Sequence, residues 1–491
     1  MNVKLCDKRI PDTLVAPLFK DERLADTLRL IAERAGVDPH ALQNDFEAEK
    51  QETLTLYANL TPAKRYHLAG AGTNANFAGM LFATRYWMYK HRKKIPKRLG
   101  LDLRHIPETN IARLCEAAVC GLLLGLYEIP NYSRQKKEKS ESALQDLEVL
   151  TPPNTQRQAQ DAIERARIFA KTLTDILHLV NAPANHKTPE SMAELCADWA
   201  KENGLKITTL KHDEIAAKGL NALSAVGKGS ANPPTLILLE YGPKSRKKKI
   251  PTVGLVGKGV TFDTGGISIK PSANMHYMKS DMGGAAAVIG AICIAAQLRL
   301  PARIVAAIPC AENMPDGRAF KPGDTLLTFS GKTVEVTDTD AEGRLVLADA
   351  MSWLLAREKP DVLIDVATLT GSVVRTLGYT AGGLFTANDR LADNLGAIGE
   401  ACGERLWRLP LWDEYGADLK SDVADLRHYT GKPIAEAISA AKFLEHFTEN
   451  HEAWAHLDIA GVAFGDSPFA LQKSATGYGV RLLVEYIESM C

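Results

Sequence analysis

Two glycine-broken stretches hold the side chains of this chain that are best placed to do chemistry. The first runs Val256-Gly-Lys-Gly-Val-Thr-Phe-Asp-Thr-Gly-Gly-Ile-Ser-Ile-Lys-Pro and continues to Met278-Lys-Ser-Asp-Met-Gly-Gly, and it carries Lys258, Asp263, Lys270 and Asp281. The second, Thr333 to Met351, carries Asp338, Asp340, Glu342 and Arg344. Taken singly, an Asp-x-Glu before a helix reads as a cap that satisfies orphan amides and complements the helix dipole. Taken jointly, the two stretches supply four carboxylates (Asp263, Asp281, Asp340, Glu342) and three cations (Lys258, Lys270, Arg344). Carboxylates without histidine or cysteine suit a pair of divalent ions, which need bridging ligands because they sit roughly 3.5 to 4 Å apart. The remaining cations would face substrate and transition state. In an extended segment residues two apart share a face, so Asp340 and Glu342 are expected to converge, with Arg344 turned to the same space.

The elements that must position these residues follow from periodicity. Val334 and Val336 alternate as a strand. Leu345, Leu347, Ala348, Trp353, Leu354 and Leu355 form a buried helical pattern. Strands are expected near Leu205–Leu210, Thr235–Glu240, Thr252–Val256, Ile304–Ile308 and Val362–Val366, alternating with helices such as Ala285–Leu298. That alternation predicts an α/β fold with a mixed, largely parallel sheet sandwiched by helices. Before it, residues 1–150 read as a smaller α/β domain. Helices are expected there at Glu22–Ala35, Asn76–Tyr89 and Ile111–Leu126, and strands at Tyr66–Ala69 and Leu99–Arg104. The polar stretch 131–160, with Arg134, Lys136, Lys137 and Lys139, reads as a linker. An amphipathic helix from Gln156 to Leu179 is expected to bridge the domains, so 151–180 reads as linker and helix and 181–491 as the larger domain. Thr188 is placed to cap a helix starting at Pro189.

A length of 491 residues calls for two domains. Equal numbers of basic and acidic residues, 59 each, argue against bulk attraction to nucleic acid or acidic membrane. Eight scattered cysteines without a Cys-x-x-Cys pair indicate free thiols in a reducing compartment. The N-terminus lacks the apolar core of a signal peptide, and the longest apolar run, Ala285 to Leu298, is too short to span a bilayer. A cytoplasmic protein is expected, with no membrane association.

Asp338-Thr-Asp-Ala-Glu-Gly-Arg-Leu resembles the Asn-Thr-Asp-Ala-Glu-Gly-Arg-Leu signature of the leucyl aminopeptidase (cytosol aminopeptidase) family. The Val256–Pro271 stretch, Ala311-Glu-Asn-Met-Pro, Ala367-Thr-Leu-Thr-Gly and Ala475-Thr-Gly-Tyr-Gly-Val-Arg-Leu-Leu are similar to other family motifs, in the expected order over residues 180–491. The resemblance implies a smaller N-terminal, macro-like domain and a catalytic domain that removes an unblocked N-terminal residue, leucine-like by preference. It implies two divalent ions per subunit, zinc or manganese. Asp263 and Glu342 would bridge both, Lys258 and Asp281 would complete one site, and Asp340 the other. Lys258 would have to ligate as a neutral amine, so the metal must displace its proton. A metal-bridging water would be the nucleophile, Lys270 would polarise the scissile carbonyl, and Arg344 would hold a bicarbonate that shuttles the proton to the leaving amine. Met278, Thr368, Gly371 and Ala460 would line the space for the first side chain. Family members assemble as homohexamers. Asp338 stands where the family has Asn.

Other readings are weaker. Gly70-Ala-Gly-Thr-Asn-Ala lacks the acidic residue a dinucleotide loop needs about 20 positions on. Gly254-Leu-Val-Gly-Lys-Gly has no Ser or Thr after the lysine, so a P-loop is rejected. His451 and His456 are one residue too far apart to share zinc on a helix, and no Gly-x-Ser-x-Gly occurs. The basic runs His91–Arg98 and Lys244–Lys249 could touch DNA, but the neutral net charge favours solvated surface. A two-metal centre could also serve phosphoesters.

Overall fold

A computed structural model describes residues 1–6, 9–58, 63–73, 76–133, 144–243 and 250–491. The basic runs at 134–139 and 244–249 and the end of the Gly70–Ala75 loop lie outside them. The chain divides into two compact units, Met1–Thr174 and Asp175–Cys491. The division falls inside the helix Gln156–Asn181.

In the first unit a six-stranded sheet runs in the order Asn2–Leu5, Asp146–Leu150, Arg98–Asp102, Thr13–Leu18, Arg65–Gly70, Thr53–Tyr57. All neighbours are parallel except the last pair. The helices Leu24–Ala35, Phe77–His91 and Ile111–Gly125 appear where the 3.6-residue pattern placed them. Asp146–Leu150 corrects the reading of 131–160 as linker: it is an inner strand, paired on both edges. Its neighbour Arg98, part of the first basic run, closes a two-pronged ion pair on Glu148 (2.8 and 2.9 Å).

The second unit is a nine-stranded mixed sheet among the described residues. Its centre is four parallel strands: Trp454–Asp458, Val362–Ala367, Thr252–Gly257 and Arg303–Asn313. Burial on both faces explains their unbroken apolar runs. Gly254 and Gly257, three apart on one strand, show the two layers. A Cβ at Gly254 would sit 3.1 Å from Leu354 of the helix Glu342–Arg357, and one at Gly257 2.7 Å from Ala285 of the helix Gly283–Gln297. The sheet is thus sandwiched by helices. The helix Gly283–Gln297 is buried nearly throughout, so its apolar sequence belongs to the core. The expected helix at Pro189 is capped by Thr188, whose hydroxyl accepts the Ser191 amide.

The helix Gly283–Gln297 meets the strand Val362–Ala367 at Gly284, where a Cβ would run into the Val366 carbonyl. Because this packing fixes the end of the helix that follows Asp281, Gly284→Ala is expected to lower stability by about 2–3 kcal/mol. The denaturant midpoint measures it, with an unchanged m-value as the sign that the fold is kept.

Candidate metal centre

Parallel strands end on one side of a sheet, and in open α/β sheets that is where sites form. Lys258 follows the strand Thr252–Gly257, Asp263 closes the strand Gly259–Asp263, Asn313 closes Arg303–Asn313, and Thr368 follows Val362–Ala367. The Lys258 backbone is pinned on both sides, its amide to Val366 O (3.0 Å) and its carbonyl by the Ala285 amide (2.9 Å). Its Nζ lies 2.7 Å from Asp281 Oδ2 and 2.9 Å from Glu342 Oε1, and donates to Thr368 O (3.1 Å). A glycine follows Glu342, where a Cβ would sit 2.7 Å from that Nζ and would push the lysine head out of its place between Asp281 and Glu342.

Asp263 is aimed by an irregularity in pairing between Val260 and Phe262, where the register slips against Arg303–Asn313. Its Oδ1 accepts from the Gly265 amide (2.9 Å) and from Asn313 Nδ2 (2.8 Å), and its Oδ2 is 2.8 Å from Lys270 Nζ. Lys270 also pairs with Asp340. The carboxylates of Asp263, Asp340 and Glu342 offer oxygens that all lie within 4.8 Å of one another.

The second stretch converges differently from the extended geometry expected. Thr339–Ala341 is a single tight turn and Glu342 is the first residue of the helix that follows, so a turn and a helix start, rather than a pleat, bring Asp340 and Glu342 together. Asp338 Oδ1 caps the turn by accepting the Asp340 amide (2.9 Å). An asparagine would present the same acceptor, which explains why aspartate is tolerated here. The two stretches are sewn to each other. Thr339 Oγ1 donates to Gly265 O (2.6 Å) and accepts from the Ser268 amide (2.8 Å), while the Thr339 amide donates to Ser268 Oγ (3.1 Å).

Lys258, Asp263, Asp281 and Glu342 are buried, and Lys270 and Asp340 are partly so. Burial works against the Lys258 and Lys270 charges, but the surrounding carboxylates more than reverse it and hold both ammonium groups above the usual lysine range. Burial raises Asp281, Asp340 and Glu342. Asp263 adds repulsion to all three, and the lysines only partly oppose it. Asp340 is pushed up to about 7. With four carboxyl groups and two ammonium groups in the cluster, the carboxyls hold protons in preference to full ionisation, which added positive charge would displace.

Arg344 is 1% exposed. Its Nη1 donates to His428 O (2.9 Å), its guanidinium lies 5.8 Å from the Tyr429 ring, and its Nε has no hydrogen-bond acceptor among the described residues. His428, fully buried, has Asp338 O 2.7 Å from its Nε2, and its Nδ1 lies 3.2 Å from Glu335 O and 3.4 Å from the Thr337 amide, so a carbonyl faces each ring nitrogen. Burial, and then the Arg344 charge, push it down to about 4.

The residues expected around the first side chain are drawn together by Asp458. Its carboxylate accepts from the amides of Leu369 (3.0 Å), Thr370 (3.1 Å) and Ala460 (3.2 Å) and from Thr370 Oγ1 (2.7 Å), tying the turn of Thr368 and Gly371 to that of Ala460. Thr368 Oγ1 donates to Asp281 Oδ1 (2.8 Å), which joins this group to the turn Met275–Ser280 bearing Met278. His456 stands apart, locked on Asp365 (2.5 Å), and His451 bonds Pro360 O (2.9 Å). Sequence reasoning passed over three supports. Asn313 lay inside the Ala311–Pro315 motif without a role, although its Nδ2 also donates to Thr339 O (2.9 Å). Asp458 lay beside the rejected histidine pair. His428 had no signal at all.

A sheet of this order with a cation-seeking cluster at its strand ends defines the class: an α/β metalloprotein with its centre in the larger unit. The model of the cytosol aminopeptidase family catalytic domain matches residues 176–484. Probable cytosol aminopeptidases of Chlorobium luteolum and Chloroherpeton thalassium are 40% and 39% identical, each over 97% of this chain and over 96% and 97% of their own. Among solved structures, the bottromycin maturation enzyme BotP in complex with Mn superposes with a TM-score of 0.84 at 34% identity, covering 98% of this chain and 99% of its own. The chain belongs to the cytosol aminopeptidase family. It is therefore a metal-dependent aminopeptidase, a hydrolase acting on peptides.

An unfolded histidine titrates near 6.5, whereas His428 in the fold does so at about 4. Between those values the unfolded chain binds a proton that the folded one refuses. The stabilisation is complete above pH 6.5 and is lost as pH falls toward 4. Wild type is thus expected to lose roughly 3 kcal/mol more than His428→Gln across that interval, read from urea midpoints at a series of pH values.

Proposed function

We propose that the protein is a leucyl aminopeptidase that removes one unblocked N-terminal residue, leucine-like by preference and broad in range. The observation that carries this reading is the excess of carboxyl over ammonium groups in one largely buried cluster: four carboxyls at the ends of parallel strands against the two lysines Lys258 and Lys270. Such a donor set fits two divalent cations, since only added positive charge relieves both the burial and the mutual repulsion. Asp263 and Glu342, which stand between the two lysines, would hold the ions together with Lys258, Asp281 and Asp340. Lys258 must give up its proton to serve, so metal uptake strengthens as pH rises. Zinc and manganese both suit these ligands, and the manganese of the BotP complex supports the second. When bound, such a pair supplies Lewis acidity that polarises a carbonyl and makes a water more acidic.

The chain's own residues do the rest. Lys270, at the edge of the cluster and 21% exposed, donates to the scissile carbonyl oxygen and steadies the charge that develops there. Arg344 would hold a small planar anion such as bicarbonate, because its Nε–H is buried without an acceptor among the described residues, and such an anion would supply a proton relay toward the leaving amine. Met278, Thr368, Gly371 and Ala460 receive the first side chain. A cytoplasmic homohexamer acting on free peptides completes the proposal.

Metal analysis coupled to a dipeptide panel tests it. Leu-p-nitroanilide and dipeptides should be cleaved, N-acetylated controls refused, and chelation should abolish turnover until zinc or manganese is restored. Glu342→Ala and Asp263→Ala should each lose at least about a thousandfold in kcat/KM while circular dichroism stays native. Activity should rise from acid to neutral or mildly alkaline pH, since the attacking water and the substrate amine both need to lose protons. A phosphate monoester turned over in place of dipeptides, or an acid optimum, overturns the reading.

A further inference from the structure

The helix Gly371–Leu377 starts beside the candidate centre, its first turn capped by Thr370. Four residues on from Gly371, and so on the same face, stands Arg375. Its guanidinium folds back along the helix, and Nη1 lies 3.4 Å from where a Gly371 Cβ would be. Nη2 is 3.2 Å from Glu436 Oε2, at the first residue of the helix Glu436–Glu445. Among the described residues this is the one hydrogen bond Arg375 makes, so Nη1 and Nε keep their N–H groups for water or a ligand. Glu436 in turn faces Arg344: its charge is the largest favourable one acting on that buried guanidinium, and it also acts on Tyr429. Arg375, Glu436, Tyr429 and Arg344 are thus linked in a polar strip: Arg375 is bonded to Glu436, Arg344 lies against the Tyr429 ring, and the Glu436 charge acts on both.

The Arg375 side chain is 65% exposed and that of Glu436 22%. A pair so exposed adds little to stability. What it does is hold a cation on the helix that starts just after Thr368, whose hydroxyl donates to Asp281 of the cluster. Arg375 is a positive charge with N–H groups left over from its one hydrogen bond, on the helix face that carries Gly371, where a substrate carboxylate can accept from it. If Arg344 serves the leaving amine, as in the reading above on which this inference rests, the strip lies on the leaving side of the scissile bond. We infer that Arg375, tethered by Glu436, is a specificity-determining residue that binds a substrate carboxylate beyond the scissile bond, either the side chain of an acidic second residue or the terminal carboxylate of a dipeptide.

Two matched substrate pairs separate those sources: Leu-Glu-amide against Leu-Gln-amide, and Leu-Leu against Leu-Leu-amide. In metal-loaded wild type the carboxylate member of at least one pair should have the higher kcat/KM by about tenfold, and the advantage should shrink at high ionic strength. Arg375→Gln should bring that ratio close to one, Arg375→Lys should restore part of it, and Glu436→Gln should raise it by removing the competing carboxylate. The ratio, rather than the turnover, is the readout, so a general loss of activity does not imitate the effect. A ratio near one for both pairs in wild type, or a ratio that survives Arg375→Gln, overturns the inference. Cleavage of the neutral amides without a carboxylate preference defeats this inference alone. Refusal of every peptide by the metal-loaded enzyme defeats the aminopeptidase reading and takes the inference with it.

Discussion

Carboxylates packed into a shared buried volume repel one another, and each has given up its hydration. Two lysines answer part of that charge: Lys258 between Asp281 and Glu342, and Lys270 between Asp263 and Asp340. No single strand or helix could hold such a group, because the repulsion would push it apart. It takes backbone fixed by the sheet and by one core helix on each of its faces. The stability invested in the parallel strands and in the fully buried helix Gly283–Gln297 maintains an electrostatically unfavourable arrangement at their ends. That investment is the reason to read the cluster as functional, since a structural core gains nothing from concentrating like charges.

Much of this was legible in the amino-acid order. The carboxylates and lysines sit in two short stretches whose residue types select hard cations, and the apolar runs between them show strands buried on both faces. The N-terminal unit was harder to read. Thr13–Leu18, the strand nearest its centre, is buried at every position, so it shows no alternation, and Pro17 argues against a strand. Asp146–Leu150 was taken as linker because polar residues precede it; its pairing is set by strands more than 40 residues away, which no local pattern reveals.

At the site, the residue types were readable and their geometry was not. Alternation suggested an extended Asp340–Glu342 segment, whereas a one-turn helix followed by a helix start gives the same convergence with a different backbone. The supports were the least visible. Asn313, His428 and Asp458 act through amide, ring and carboxylate contacts to backbone groups distant in sequence. A composition that contains many Asn, His and Asp residues gives no sign of which ones do so.

The reciprocal bonds between Thr339 and the Gly265–Ser268 turn bear on how such a protein accommodates varied ligands. With that stitch in place the two acidic turns behave as one jaw: neither can swing without dragging the other or breaking several hydrogen bonds at once. Adaptation to substrates of different bulk is thereby left to the opposite wall, where Asp458 ties its loops through three backbone amides and the Thr370 hydroxyl, so that side chains outside these bonds, such as Ala460, can be exchanged without disturbing the jaw.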